Sequence, residues 1–197
     1  MSTEPTWQEW FLSLRGNEYY CPVDIQFIED RFNLTGIGHD IPQFKKAYEL
    51  VVGSYNASDD QETRMIIEKS SRHTFGLIHA RFILTAAGLE RMLAKYEAGN
   101  FGTCPRVLCR NCKLLPVGIS DLPGVEGVKL YCPRCEDVYN PKSARHLGID
   151  GAYFGTTFAH LFLQTFPQAA PTKASEQYVP RIFGFKIADR DILESPN

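Results

Sequence analysis

The 197-residue sequence lacks the patterns that mark membrane proteins and exported proteins. No apolar run reaches the roughly 20 residues that a helix needs to cross a bilayer. The N-terminal stretch contains Glu4 and Glu9 and has no basic region ahead of an apolar one, so it does not look like a targeting peptide. We therefore expect an intracellular protein that does not associate with membranes.

The sequence also lacks the motifs of the common enzyme classes. It contains no Ser/His/Asp set, no glycine-rich phosphate loop and no His-Glu helix motif. The His-Arg-Asp and Asp-Phe-Gly signatures of protein kinases are absent as well. His73 and His79 lie in apolar helical segments, where single histidines usually have structural roles. These absences predict a protein that is not an enzyme.

An excess of charge of either sign is missing too, since 21 Lys/Arg and 23 Asp/Glu give a formal net charge of −2. Residues 101–160 hold seven Lys/Arg against five Asp/Glu, a balance of +2. The same segment contains five cysteines, and if four of them bound one divalent metal ion as thiolates, the charge balance of the segment would fall from +2 to zero. Because nucleic-acid binding depends on clustered positive charge, this argues against a zinc-ribbon nucleic-acid or transcription-scaffold module, which is the alternative interpretation.

Cysteine, in contrast, is concentrated in one place, with five of the six cysteines between positions 104 and 135. Cys104 and Cys109 form one pair and Cys132 and Cys135 form another. Two thiolate pairs on short turns are typical of a zinc ribbon, in which four sulfurs surround one structural Zn²⁺. Cys112 also makes a Cys-x-x-Cys pair with Cys109, so spacing alone leaves Cys104 and Cys112 as equal candidates.

The hydrophobic pattern changes near residue 100. Before it, apolar residues recur at helical spacing in six segments, which start near Trp7, Ile25, Phe44, Gln61, Leu77 and Leu89. After it, residues 114–119 and 128–131 predict short strands, and residues 158–163 return to a helical texture. We therefore predict an α+β fold with an N-terminal all-helical domain, a small zinc-ribbon domain of short antiparallel strands, and an extended C-terminal tail.

The tail ends in a hydrophobic cluster around Gly184 that predicts a tight β-hairpin over residues 181–187. One interpretation is an edge strand of the protein's own fold. The other is a docking hairpin whose aromatic side chains enter a pocket of a partner. The pattern alone does not decide between them.

Several blocks keep one order along residues 7–187. Besides the cysteine segment they are Leu-Arg-Gly-Asn-Glu at 14–18, Phe-Asn-Leu-Thr-Gly at 32–36, Gly-Leu-Ile-His-Ala-Arg at 76–81, Val-Lys-Leu-Tyr-Cys-Pro at 128–133, and Asp-Gly-Ala-Tyr-Phe-Gly-Thr at 150–156. Val-Pro-Arg and Gly-Phe-Lys-Ile follow within 179–187. The set resembles the regulatory beta subunit of the protein kinase casein kinase II.

This resemblance implies a non-catalytic subunit that dimerises through its zinc ribbon and docks the catalytic alpha subunit, giving a tetramer that recruits protein substrates. It implies Zn²⁺ at Cys104, Cys109, Cys132 and Cys135, with Cys112 as an extra cysteine. For the dimer contact we expect the apolar ribbon residues Pro105, Val107, Ile119 and Val138. For docking we expect Arg181, Ile182, Phe183, Phe185 and Ile187.

The corresponding domain boundaries are residues 1–100 for the helices, 101–165 for the ribbon and 166–197 for the docking tail. The resemblance also implies a phosphoprotein located in the cytoplasm and the nucleus.

Two departures stand out. The acidic loop of the family is reduced to Asp59, Asp60 and Glu62, and Phe183 occupies a position where the family usually has tyrosine.

Overall fold

A computed structural model describes residues 5–172 and 179–187 of the chain. Within these residues the α-helices are α1 Trp7–Ser13, α2 Ile25–Glu29, α3 Phe44–Val52, α4 Gln61–Phe82, α5 Ala86–Glu97 and α6 Phe158–Thr165. The strands are β1 Leu115–Val117, β2 Lys129–Cys132, β3 Asp137–Tyr139, β4 Arg181–Ile182 and β5 Phe185–Lys186. Short 3₁₀ turns occupy Arg31–Leu34, Val107–Cys109, Ala144–His146, Gly151–Tyr153 and Pro167–Ala169.

Polar side chains set the starts of several helices. At α1, Thr6 accepts a hydrogen bond from the backbone N–H of Glu9, and the Glu9 carboxylate accepts one from the backbone N–H of Thr6 at 2.8 Å. This capping box satisfies two backbone donors that the helix leaves unpaired. Asp60 caps α4 by accepting from the backbone N–H of Thr63 at 2.8 Å, which agrees with the start predicted at residues 59–62.

The separate helix predicted from Leu77 is wrong, because α4 runs without a break through Phe82. Gly76 lies inside it rather than at a boundary. A Cβ at position 76 would stand 2.5 Å from the ring of Tyr153. The glycine therefore allows the helix to approach the 151–153 turn closely, and this contact offsets the entropic cost of a glycine within a helix.

Three strands form the antiparallel sheet of the cysteine-rich region, in the order β1-β2-β3. Leu115 pairs with Tyr131, and Tyr131 pairs in turn with Val138. Pro116 and Leu130 are buried on one face of the sheet, and Leu115 is buried on the other, so each face is covered in part. The predicted segment 114–119 contains β1, and the predicted segment 128–131 covers β2 except for Cys132, whereas β3 was not predicted as a strand.

Buried apolar residues of the helices and of the cysteine-rich region belong to one continuous cluster. Phe75 and Phe82 of α4, Phe101 at the junction, and Phe154 and Phe162 farther along are all almost fully buried in it. The division at residue 100 thus follows composition, and as a domain boundary it stays a prediction. Within the described residues, no helix has both the length and the apolar character needed to cross a membrane.

Candidate metal centre and docking hairpin

The fold brings four cysteine sulfurs together from two separate turns. The Sγ atoms of Cys104, Cys109, Cys132 and Cys135 all lie within 4.8 Å of one another. The first three residues are buried and Cys135 is half-buried. The 3₁₀ turn Val107–Cys109 supplies one side of the cluster, and the end of β2 with the turn after it supplies the other.

The spacing of the sulfurs fits a tetrahedral zinc ion. Sγ of Cys104 lies 3.9 Å from Sγ of Cys135, and Sγ of Cys132 lies 3.9 Å from Sγ of Cys109. Four sulfurs at about 2.3 Å from a central Zn²⁺ would be about 3.8 Å apart. Since four thiolates would fill the coordination shell, such a site stabilises the fold and leaves no open position for a catalytic water.

Left-handed backbone conformations shape both cysteine turns. Arg110 and Asn111 follow Cys109 with φ values of 48° and 58°, and Glu136 follows Cys135 with a φ of 57°. The backbone N–H of Glu136 donates to the carbonyl of Cys132 at 2.8 Å. These local folds turn the chain sharply enough for the two sulfurs of each pair to face one centre.

Burial and hydrogen bonding shift the pKa values of the cluster sulfurs in opposite directions. Burial raises the pKa of Cys109 to about 11, with hydrogen bonding to Cys104 adding to it. At Cys135 burial also raises the pKa, but the hydroxyl of Tyr139, 3.2 Å from Sγ, and the neighbouring cysteines together lower it below the usual value. Because burial favours the neutral thiol, four thiolates at this place would need a divalent metal ion to compensate their charge.

Cys112 lies beside the cluster without joining it. Its backbone carbonyl accepts from the N–H of Cys104 at 2.8 Å, and its thiol points toward the carbonyl of Lys113 at 3.5 Å. The pairing places the two cysteines opposite each other, and of the two only Cys104 has its sulfur among the four that lie within 4.8 Å of one another. The geometry thus selects four of the five candidate sulfurs, although their assignment as zinc ligands stays a prediction.

The residues predicted for the dimer contact are exposed apolar side chains of the cysteine-rich region. Val107 is 90% exposed in the first cysteine turn, where Pro105 is exposed as well. Ile119 follows β1 at 54% exposure, and Val138 lies in β3 at 44%. A single chain leaves these four uncovered.

The predicted hairpin is present in the tail. Arg181 pairs with Lys186 and Ile182 with Phe185, and the turn between them has left-handed φ values of 49° at Phe183 and 86° at Gly184. Two such residues make the kind of turn that matches the twist of a hairpin. All residues from 181 to 187 are exposed, and β4 and β5 form a two-stranded sheet apart from β1-β2-β3.

Sequence reasoning missed β3 and the role of Tyr139. The alternation in Asp137-Val138-Tyr139 is only three residues long, which is too short for a strand pattern to be recognised. Pairing with β2 makes this segment a strand and places the Tyr139 hydroxyl beside the sulfur cluster.

Together the helices, the small antiparallel sheet and the four-sulfur cluster define a class of protein: a helical region joined to a zinc-ribbon type of module that can hold a metal ion. The family profile described as "Casein kinase II regulatory subunit" matches residues 6–186. The chain therefore belongs to the casein kinase II regulatory subunit family.

Curated relatives support the same assignment. The chain is 54% identical over 181 residues to casein kinase II subunit beta of Schizosaccharomyces pombe, covering 92% of this chain and 78% of the relative. It is 51% identical to subunit beta-2 of Neurospora crassa, covering 92% and 64%. It is 46% identical to subunit beta' of Drosophila melanogaster, covering 94% and 85%. Because this family is regulatory and not catalytic, the prediction that the chain is not an enzyme is confirmed, and the nucleic-acid alternative is not favoured.

Proposed function

We propose that this chain is the zinc-stabilised scaffold of a casein kinase II complex, which docks catalytic alpha subunits through the hairpin of its tail. The observation that carries the proposal is the hairpin itself. Phe183 is 97% exposed and Phe185 is 79% exposed, on a unit that packs against no other strand among the described residues. An isolated two-stranded hairpin is marginally stable in water, and large exposed aromatic rings are typical of binding anchors.

The hairpin has the local order that a docking element needs. The guanidinium of Arg181 donates to the carbonyl of Gly184 at 3.0 Å, and the backbone N–H of Ile187 donates to the carbonyl of Pro180 at 3.1 Å. These bonds favour the closed turn over other conformations of the marginally stable hairpin, which lowers the cost of ordering it on binding. Preorganisation of this kind increases affinity.

Four cysteines would bind one structural Zn²⁺ per chain, and the ribbon built on it would form a homodimer. The exposed apolar set Pro105, Val107, Ile119 and Val138 supports this step, because a unit this small cannot bury these side chains by itself. A two-fold contact would cover the same patch on both copies. Two such chains with two catalytic chains would give a tetramer of the cytoplasm and the nucleus that selects protein substrates by recruitment.

The docking role is tested with Phe183→Ala and Phe185→Ala in titration calorimetry against the catalytic alpha subunit. Truncating an aromatic anchor typically costs about 2 kcal/mol, which corresponds to a roughly thirty-fold loss of affinity. Met65→Ala is the matched control, since Met65 is 60% exposed on α4, far along the sequence from the tail. Zinc content and dimer mass should stay unchanged in all three variants. Unchanged affinity in both phenylalanine variants would refute the docking role.

A further inference from the structure

A cleft of about 370 Å³ lies where the end of α1, the middle of α4 and the segment 145–153 meet. Its lining includes the cationic side chains Arg15, Lys69, Arg72 and Arg145 together with His73. No Asp or Glu is among the described residues that line it. Four cations at one cleft stand out because residues 1–100, which supply three of them, hold 14 Asp/Glu against 10 Lys/Arg.

Two of these cations have no protein counter-charge. Among the described residues, Arg15 and Lys69 form no ion pair, and both are exposed. The other two have partners placed outside the lining. Arg72 pairs with Glu68 at 2.5 Å, and Arg145 reaches Glu18 only at 3.9 Å. The cleft therefore carries uncompensated positive charge.

Several contacts hold the wall behind the cations. Nδ1 of His73 and the hydroxyl of Tyr153 share a hydrogen bond of 2.7 Å, and the Tyr153 ring packs on Gly76 of α4. The guanidinium of Arg72 lies 5.5 Å from the centre of the Trp10 ring, which limits its freedom. These contacts lower the cost of ordering this part of the cleft when a ligand binds.

Like charges held close together are unfavourable unless an anion lies between them. Arginine and lysine side chains around a small cleft match a phosphate group, whose oxygens accept several charge-assisted hydrogen bonds at once. A phosphomonoester also carries between one and two negative charges near pH 7, more than a carboxylate does. We propose that this cleft binds a phosphate group, either as free inorganic phosphate or as the phosphomonoester of a phosphoserine side chain in a peptide.

The site is separate from the cysteine cluster and from the tail hairpin, so the proposal does not rest on zinc binding or kinase docking. The test uses the purified full chain and the double variant Arg15→Gln/Lys69→Gln, which removes the two unpaired charges. Its matched control is Arg31→Gln/Lys45→Gln, which removes two charges that are exposed but do not line the cleft. Arg15→Lys/Lys69→Arg keeps the charge and should keep the binding.

Calorimetry is run with four probes: inorganic phosphate, a glycine-flanked phosphoserine peptide, and the same peptide with serine or with glutamate. We expect the unaltered chain and the control variant to bind inorganic phosphate and the phosphoserine peptide with similar affinity. The double variant should bind both probes at least about tenfold more weakly. Binding should also weaken as salt rises. Binding of the phosphopeptide alone would identify a peptide ligand, and competition by inorganic phosphate at similar concentration would identify a free one.

Two results would overturn the proposal. In the first, the double variant and its control lose the same affinity, so the position of the charges does not matter. In the second, the serine or glutamate peptide binds as tightly as the phosphopeptide, so no phosphate is recognised. Since the altered side chains are exposed, circular dichroism should show that all variants remain folded.

Discussion

His79 should make the stability of this protein fall in mild acid. Its side chain is fully buried in α4 and joins two distant parts of the chain. The carbonyl of Tyr153 lies 2.9 Å from Nδ1, and a carbonyl can only accept, so Nδ1 carries the hydrogen. Nε2 then accepts from the backbone N–H of Cys21 at 3.2 Å. A proton added to Nε2 would remove that acceptor and place a charge in the core.

The size of the effect follows from the pKa. Burial lowers the pKa of His79 from 6.5 to about 4, the hydrogen bond to Tyr153 opposes this, and the charge of Lys95 adds to it. The unfolded chain, with an ordinary histidine, therefore binds more protons between pH 6.5 and pH 4. The contribution of His79 to stability is full above pH 6.5 and is lost as pH falls through this window, by about 2 kcal/mol between pH 7 and pH 5.

The assay is urea unfolding of the full chain at fixed protein concentration from pH 7 to pH 5. His79→Gln removes the titrating group while its amide can still pair with a backbone neighbour. Acid also releases metal from thiolates, but that loss occurs equally in both proteins and cancels in the difference. His39→Gln, at an exposed position, is the control. If the curves for the unaltered chain and His79→Gln fall in parallel, the reasoning about His79 is refuted.

Three further predictions concern the metal centre and the packing around it. Cys112→Ser should keep one zinc per chain by elemental analysis, whereas Cys104→Ser should lose it; the reverse result would show that the sulfur cluster is misassigned. Removing the metal with a chelator should dissociate the dimer in analytical ultracentrifugation, because metal binding and ribbon folding are coupled; a metal-free dimer would contradict this. Gly76→Ala, whose Cβ would meet the Tyr153 ring, should lower the free energy of unfolding by about 1–3 kcal/mol in denaturant titration, and Gly148→Ala, with open space at its Cβ, should not.

The helical spacing of apolar residues was enough to place most helices, because that pattern is local and can be recognised without knowing the fold. The structure adds the caps: Thr6, Asp60 and Thr85 lie directly before α1, α4 and α5, and each accepts from a backbone N–H of the first turn. The error at Leu77 arose because apolar spacing does not show whether a segment opens a new helix or continues one. Only the distant Tyr153 explains why Gly76 lies within a continuous helix.

The cysteine cluster shows where spacing stops being informative. Cys104 and Cys112 lie at equally suitable sequence distances from Cys109. Thr103 pairs with Lys113 in an isolated antiparallel bridge, and the N–H of Cys104 donates to the carbonyl of Cys112, so the two cysteines stand opposite each other. Opposed residues point to the same face, so the pairing does not choose between them either. Only the positions of the sulfurs show that Cys104 belongs with the other three, and spacing contains no information on those positions.

The same limit applies to the division of the chain into regions. Composition separates the helices from the ribbon near residue 100. The buried apolar cluster nevertheless includes residues from both sides of this boundary, and polar contacts also connect the two sides. The Glu18 carboxylate lies 2.7 Å from Nε2 of His146, and the Lys113 ammonium donates to the carbonyl of Glu97 at 2.6 Å. His79 adds the two hydrogen bonds described above, one of them to Tyr153 within the predicted ribbon region. The helical region and the ribbon are therefore joined by polar as well as apolar contacts, whereas Val107, Ile119 and Val138 of the ribbon stay exposed and are available for the proposed dimer contact.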